Sequence, residues 1–291
     1  MPTTNPSAIE LASMRAAVDH FVKHRDRFER YAQILYTNLA GNEALRPYLH
    51  SSKYRVKDPE HLFHKLVRMQ NQAKAFGQQF EVTPDNLFVT VNDLAGVRLI
   101  HLHTDQFSSI LPIIAGILDE ALYRVLEGPT AKTWDREYQA YFDSLGVKTE
   151  VPQDSMYTSV HYVIEENSKS KLRCELQVRT LSEELWSEVS HAVDYPDPTA
   201  SVACKEQLKV LARLTTGSTR LVDSIFKSQK EHSQFVKPAP SAQDNQGTPG
   251  AGGEAKVSSP FSRLGPFEGE GKKEEGEKQK GEAEGRAAPP Q

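Results

Sequence analysis

The sequence has few cysteines and no long hydrophobic run. Its 291 residues include only two cysteines, Cys174 and Cys204, too few for a disulfide framework or a four-cysteine zinc site. The longest apolar run, Ile110 to Leu118, is much shorter than a membrane span. No basic and apolar leader opens the sequence, so we expect no signal peptide. We therefore predict a soluble, reduced, cytoplasmic protein that does not enter a membrane.

A large excess of charge of one sign is also absent. The formal net charge is -4, and the folded part is mildly acidic too. This argues against a protein whose affinity comes from many phosphate contacts along nucleic acid. A local basic pocket for one or two nucleotides remains compatible with this composition.

Large apolar residues are scarce at the C-terminus. Residues 237–291 contain more than half of the glycines and almost no large aliphatic residues. Such a segment cannot bury enough apolar surface to offset its chain entropy, so we predict a disordered tail. The preceding part is long enough for one α/β or α+β core.

Hydrophobic periodicity places several helices along this core. Residues 7–40 and Gln106–Leu122 are predicted helices, and 127–150 is predicted as a helix-bearing excursion between strands. Ala203–Phe226 is predicted to form one or two amphipathic helices.

The segment Lys171–Trp186 combines an amphipathic strand with the start of a helix. In the strand, four apolar residues alternate with Arg173, Glu175, Gln177 and Arg179, which therefore share one face. Thr180 and Glu183 have the spacing of a capping box. The polar row could hold a metal and phosphates or be a solvated edge strand. On the following helix, His191 is interpreted as a hydrogen-bonded structural histidine rather than a metal ligand.

A basic cluster surrounds the start of another predicted helix. Asp58 as N-cap and Pro59 at the first position predict a helix to about Phe76. Three cations and a histidine lie beside this helix start: Arg55, Lys57, His61 and Lys65. A helix N-terminus attracts anions, so the cluster indicates phosphate binding, with a solvated basic face as the alternative.

Two further patterns are candidates for ligand binding. Asp93, at the mouth of a predicted strand, could bind a divalent cation or cap a turn, and Gly96 would allow close approach of a ligand. Tyr157, Ser159 and His161 share one strand face, which suits a nucleobase and sugar or a cross-strand ladder. We expect this strand to lie antiparallel to the Glu175 strand.

Four of these segments occur in the order found in a known family. They read R-x-K-x-x-x-H-x-x-x-K from Arg55, D-L-x-G-x-R from Asp93, Y-x-S-x-H from Tyr157 and E-x-Q-x-R-T from Glu175. Together they resemble the synthetase domain of the RelA/SpoT-type (p)ppGpp synthetases, especially the small stand-alone members. The resemblance implies an α+β fold with a nucleotidyltransferase-like mixed β-sheet flanked by helices. It divides the chain into an N-terminal helical segment (1–49), the synthetase core (50–200), C-terminal helices (201–236) and the tail.

The resemblance also implies a reaction, transfer of pyrophosphate from ATP to the 3′-hydroxyl of GDP or GTP. Asp93 and Glu175 would be the catalytic residues and hold Mg²⁺, and Glu175 could help to deprotonate the hydroxyl. The remaining implied roles fall on two groups. ATP would meet Arg55, Lys57, His61 and Lys65. The acceptor nucleotide would meet Tyr157, Ser159, His161, Gln177 and Arg179.

The sequence departs from the family pattern in two places that concern phosphates. His61 stands where the family usually has Ser, and Gln153–Met156 lacks the Asn-Gly and basic residues that usually precede the stacking Tyr. Two alternative functions stay open: a toxin-like relative that modifies the 3′ end of tRNA, and a regulator that only binds nucleotides. A homo-oligomer is compatible with the resemblance.

Overall fold

A six-stranded mixed sheet forms the centre of the fold in the computed structural model, which describes residues 6–152, 155–194 and 201–235. The strands are β1 (Leu49–Val56), β2 (Ala95–His101), β3 (Arg124–Thr133), β4 (Lys148–Glu150), β5 (Thr158–Glu165) and β6 (Arg173–Thr180). The helices are α1 (Ala8–Ala40), α2 (Pro59–Ala75), α3 (Leu87–Thr90), α4 (Phe107–Glu120), α5 (Arg136–Ser144), α6 (Leu181–Asp194) and α7 (Val202–Phe235). The predicted α+β class, a mixed sheet flanked by helices, is confirmed.

The strand order β1-β2-β6-β5-β3-β4 brings the distant motifs together. β2 and β6 are parallel neighbours, and their register places Gly96 opposite Glu175. β5 is antiparallel to β6, as predicted, with His161 opposite Gln177. Strand β2, which begins just after Asp93, and the strands that carry Glu175 and His161 therefore lie side by side in the middle of the sheet.

The N-terminal helix α1 is defined by its caps and its apolar stripe. Ser7 and Glu10 form a capping box, and Gly41 ends the helix. The helix buries an apolar stripe, which consists of Phe21, Phe28, Tyr31, Leu35 and Leu39. The Tyr31 hydroxyl donates to the Ile164 carbonyl at 3.0 Å, which anchors α1 on the sheet.

Helix α2 begins where the sequence predicts. Asp58 is the N-cap, and its Oδ1 accepts the backbone N–H groups of Glu60 (2.9 Å) and His61 (3.0 Å). These bonds satisfy two of the four donors that a helix leaves open at its start. The helix is thereby fixed with Lys65 two turns from its start, on the side that faces Asp93.

Two predictions for the secondary structure were incomplete. The 127–150 excursion contains α5, but its first part is the long strand β3, whose pairing with β5 is irregular on either side of Glu127. The predicted one or two helices of Ala203–Phe226 form a single helix, α7, which continues to Phe235. The predicted tail, residues 237–291, lies outside the described residues. Within the described part of the chain, no helix is both long and apolar enough to cross a membrane.

Candidate active site

Asp93 and Glu175 lie where two clefts meet. Asp93 is in the turn before β2, and Glu175 is on the neighbouring strand β6. Both carboxylates line a cleft of about 250 Å³ on one side and a cleft of about 450 Å³ on the other. The two carboxylates are thus placed to act on ligands held in both clefts.

The smaller cleft, which we call the Arg55 cleft, lies between β1, β2 and α6. Arg55 is the register partner of Gly96, and a Cβ on Gly96 would make only ordinary contacts, 3.9 Å from Arg55 Cγ and 3.6 Å from the Glu175 carbonyl oxygen. The protein itself therefore leaves room for a side chain at position 96. The lining is completed by Lys53, Tyr54, Val97, Arg98, Gln177, Ser187, Glu188 and His191.

The larger cleft, which we call the His161 cleft, lies between α2, β3, β4 and β5. Three lysines line it, Lys65, Lys132 and Lys148. Gly128 also lines this cleft with a positive φ of 98°, and a Cβ there would clash with the His161 carbonyl. Glycine is therefore required for β3 to approach β5 this closely.

Both oxygens of Asp93 accept bonds from lysines. Lys57 Nζ lies 2.8 Å from Oδ2, and Lys65 Nζ lies 2.7 Å from Oδ1. Burial alone would raise the pKa of Asp93, but the charges of Lys65 and Lys57 outweigh it and hold the pKa far below its ordinary value. Asp93 is therefore a carboxylate at all physiological pH values.

Glu175 is held by a histidine that is itself oriented by a tyrosine. His161 Nδ1 lies 2.9 Å from Glu175 Oε1, and His161 Nε2 lies 3.1 Å from the Tyr157 hydroxyl. Burial lowers the pKa of His161, so the ring is neutral. Because a carboxylate only accepts, Nδ1 carries the proton and Nε2 accepts the Tyr157 O–H. Burial alone would raise the pKa of Glu175, but the hydrogen bonds from His161 and Gln177 lower it.

The polar row on β6 continues this network. Gln177 Nε2 donates to Glu175 Oε2 at 2.8 Å, and Arg179 NH2 donates to Gln177 Oε1 at 2.6 Å. Arg179 is almost fully buried, and its guanidinium lies 5.3 Å from the centre of the Tyr157 ring. The row is therefore a fixed set of hydrogen bonds and not a solvated surface.

An ion-pair network closes the outer side of the Arg55 cleft. The carboxylates of Glu184 and Glu188, on α6, each contact both Lys53 and Arg98, at 2.8 to 3.0 Å. The network ties α6 to β1 and β2. Glu184 also lies 3.2 Å from the Arg179 Nε, which connects the cleft wall to the buried end of the polar row.

The structure brings most of the predicted site residues together around the two clefts. Lys65 lines the His161 cleft although the resemblance implies an ATP role, and Gln177 lines the Arg55 cleft although it implies an acceptor role. The Ser159 hydroxyl is buried and donates to the Val178 carbonyl at 3.3 Å. His61 lies on α2 with its ring 6.5 Å from that of His191. The roles of all the predicted site residues stay predictions.

Sequence reasoning missed several residues that line the clefts. Lys132 and Lys148 were missed because the sequence did not reveal β3 and β4 as strands. Without a strand, the alternation of side chains could not show on which face of the sheet these lysines lie. Lys53 and Glu188 lie outside the four family motifs, so no motif indicated a role for them. Glu188 and His191 are three residues apart on α6, a spacing that puts them on one helix face and could have marked that face.

The donor chemistry at the junction fits Mg²⁺. Carboxylate oxygens from Asp93 and Glu175 are the ligands that Mg²⁺ prefers, with phosphates and water supplying the others. In the described residues, no group of three or more His, Cys, Asp and Glu side chains could hold a metal without such help. A metal bound here would be shared between protein and substrate.

Comparison with solved structures identifies the class of fold. The small alarmone synthetase 1 from Bacillus subtilis is similar with a TM-score of 0.51 at 17% identity, covering 73% of this chain and 99% of the other. A GTP pyrophosphokinase family protein from Streptococcus pneumoniae is similar with a TM-score of 0.50 at 17% identity, covering 75% and 98%. The fold is therefore that of the small alarmone synthetases.

Comparison with protein families extends this from the fold to the family. Residues 54–200, slightly more than half of the chain, match the family described as the region found in RelA / SpoT proteins. The chain belongs to the RelA/SpoT family, as its four motifs predicted. A search of curated proteins found no match.

Proposed function

We propose that the protein is a pyrophosphokinase that transfers the β,γ-pyrophosphoryl group of ATP to the 3′-hydroxyl of GDP or GTP and releases AMP. The observation that carries the proposal is the shared position of Asp93 and Glu175 between two cation-lined clefts. A transfer between two nucleotides needs one site for each and a common point at which they react. Membership of the RelA/SpoT family supports the same reaction.

The Arg55 cleft is proposed to bind ATP. Arg55 and Arg98 supply guanidinium groups that can lie against the base or the phosphates, and Lys53 lies beside them. The protein's own contacts do not require glycine at position 96, because a Cβ would fit there. A bound nucleotide that occupies this space would explain why the residue is glycine. Lys57, at the inner end, would reach the phosphates next to Asp93.

The His161 cleft is proposed to bind the guanine nucleotide. His161 lines it, and the acceptor 3′-hydroxyl can approach Glu175 there. Tyr157, which the family resemblance assigns to stacking on the acceptor base, bonds the other nitrogen of the His161 ring. Lys132 and Lys148 line the cleft and can pair with the acceptor's 5′-phosphates. They would replace the basic residues that the Gln153–Met156 segment lacks.

The chemistry needs charge stabilisation more than covalent help. The acceptor 3′-oxygen attacks the β-phosphorus, the bond from that phosphorus to the α,β-bridging oxygen breaks, and this oxygen leaves with AMP. Glu175, which is anionic, can accept the hydroxyl proton. When bound, Mg²⁺ would be held by Asp93 and Glu175 and would offset the negative charge of the phosphates. The lysines around Asp93 would neutralise the charge that remains.

The test is a transfer assay with defined acceptors. Purified protein is incubated with Mg²⁺ and ATP labelled at the γ-phosphate, together with GDP, GTP or bulk tRNA. We expect labelled guanosine polyphosphates and one AMP for each. Asp93→Asn and Glu175→Gln should each lower the rate by roughly 100-fold or more, as when a preorganised electrostatic group is removed. Glu120→Gln, an exposed carboxylate at the end of α4 that lines neither cleft, is the matched control.

The same assay separates the alternatives. Label on tRNA alone would contradict the acceptor assignment, and no transfer to any acceptor would support a binding protein. A tRNA substrate needs unpaired cations outside the clefts. Of the cations on α7, Lys209 is paired with Glu206, and Arg220 is paired with Asp135 and Glu137. These pairs reduce the cationic surface that α7 offers to a polyanion.

A further inference from the structure

The carboxylate oxygens at the junction of the clefts are all engaged by hydrogen-bond donors. Asp93 accepts from two lysines at 2.7 and 2.8 Å. Glu175 accepts from His161 at 2.9 Å and from Gln177 at 2.8 Å. The four carboxylate oxygens that could bind a metal therefore already have hydrogen-bond partners. The two partners of Asp93 are positively charged ammonium groups.

The two lysines cannot easily turn away into solvent. The side chain of Lys57 is only 9% exposed, and that of Lys65 is 23% exposed. A buried ammonium that loses its carboxylate is left without charge compensation, which is strongly unfavourable. A free divalent cation that approached Asp93 would have to displace at least one of these ammonium groups and would also be repelled by both.

A polyphosphate changes this balance. Its oxygens offer each lysine a new anionic partner at the moment when Asp93 is released. The negative charge of the phosphates also offsets the repulsion between the lysines and the metal. Metal and polyphosphate binding are then coupled, because each lowers the cost of binding the other.

We infer that Lys57 and Lys65 act as a lock on Asp93, so that the site accepts a divalent cation together with a nucleoside polyphosphate and rejects the free cation. This inference rests on the proposed metal role of Asp93. The lysines thus have two successive partners, Asp93 first and phosphate afterwards. The lock would keep free metal from occupying the junction of the clefts in an unproductive position.

The lock is tested by Mn²⁺ binding without nucleotide, followed by electron paramagnetic resonance. Lys65→Met, which removes the more exposed ammonium, should bind Mn²⁺ about tenfold or more tightly than the unchanged protein, because one repulsive charge beside Asp93 is gone. Lys74→Met is the matched control. Lys74 lies on the same helix and pairs with Glu10 at 2.7 Å, away from both clefts, so this variant should bind Mn²⁺ like the unchanged protein.

Two further variants make the result decisive. Lys57→Met should show the same gain as Lys65→Met, with circular dichroism confirming that both are folded. Adding Asp93→Asn to Lys65→Met should remove the gain. The lock is refuted if the unchanged protein binds Mn²⁺ as tightly as Lys65→Met does, or if the gain persists with Asp93→Asn. Mn²⁺ binding is measured without any transfer reaction, so the two proposals can fail separately. If the unchanged protein has no pyrophosphokinase activity but Lys65→Met still binds Mn²⁺ more tightly, the proposed function is contradicted and the lock stands.

Discussion

Glu183 is a buried carboxyl whose ionisation should make folding stability depend on pH. It is 3% exposed, and its Oε1 has no hydrogen-bond partner among the described residues. Burial raises its pKa from 4.5 to about 8, although the Arg179 charge opposes the rise. The folded protein therefore keeps Glu183 protonated at neutral pH, whereas the unfolded chain releases that proton above its ordinary pKa.

The sign and size of the effect follow from this difference. The stability contributed by Glu183 is fully present below pH 4.5 and is lost as the pH rises to about 8. Across that interval unfolding releases a proton, so the free energy of unfolding falls by about 1.4 kcal/mol per pH unit. The total is on the order of 5 kcal/mol, a large part of the stability of an ordinary domain.

The substitution that isolates this group is Glu183→Gln, because glutamine has nearly the same shape and stays neutral in both states. The free energy of unfolding is measured with urea at pH 5.5, 7 and 8. The difference between Glu183→Gln and the unchanged protein should shift in favour of the variant by roughly 3 kcal/mol from pH 5.5 to pH 8. Glu120→Gln, an exposed position at the end of α4, is the control and should show a constant difference. A constant difference for Glu183→Gln would show that Glu183 is ionised in the folded protein.

Two further predictions concern the core and the site. Leu35→Ala should lower the free energy of unfolding by about 2–5 kcal/mol because Leu35 on α1 is fully buried. Ile34→Ala, at a 56% exposed position, is the control and should change this free energy by less than about 1 kcal/mol in the same urea titration. Tyr157→Phe should keep the ring but lose the hydrogen bond to His161. Transfer kinetics should then show a kcat that is lower by roughly tenfold, with the KM for ATP unchanged. A change in the KM for ATP alone would contradict the position of Tyr157.

Much of the local structure could be predicted from neighbouring residues. The caps Ser7 and Asp58 and the stripe on α1 act within one or two helical turns, so their effect is visible in the sequence. The alternation on β6 likewise predicted that its apolar residues are buried, because successive side chains must point to opposite faces.

Strand β3 shows where local patterns fail. Its residues bend around Gly128, and the register shift there interrupts the alternation that would reveal a strand. Arg179 shows a second limit, since its burial depends on Tyr157 and Glu184, which are distant in sequence. Burial of a charged side chain is decided by such partners and not by its own segment.

The sequence by itself determined the family and the ends of the first helices, because motifs and caps depend on short-range spacing. Only the tertiary structure decided which cleft each cation lines, that Lys57 and Lys65 both bind Asp93, and that His161 holds Glu175. These contacts join residues of separate strands and helices, and their geometry depends on the strand order of the sheet, which no single segment encodes.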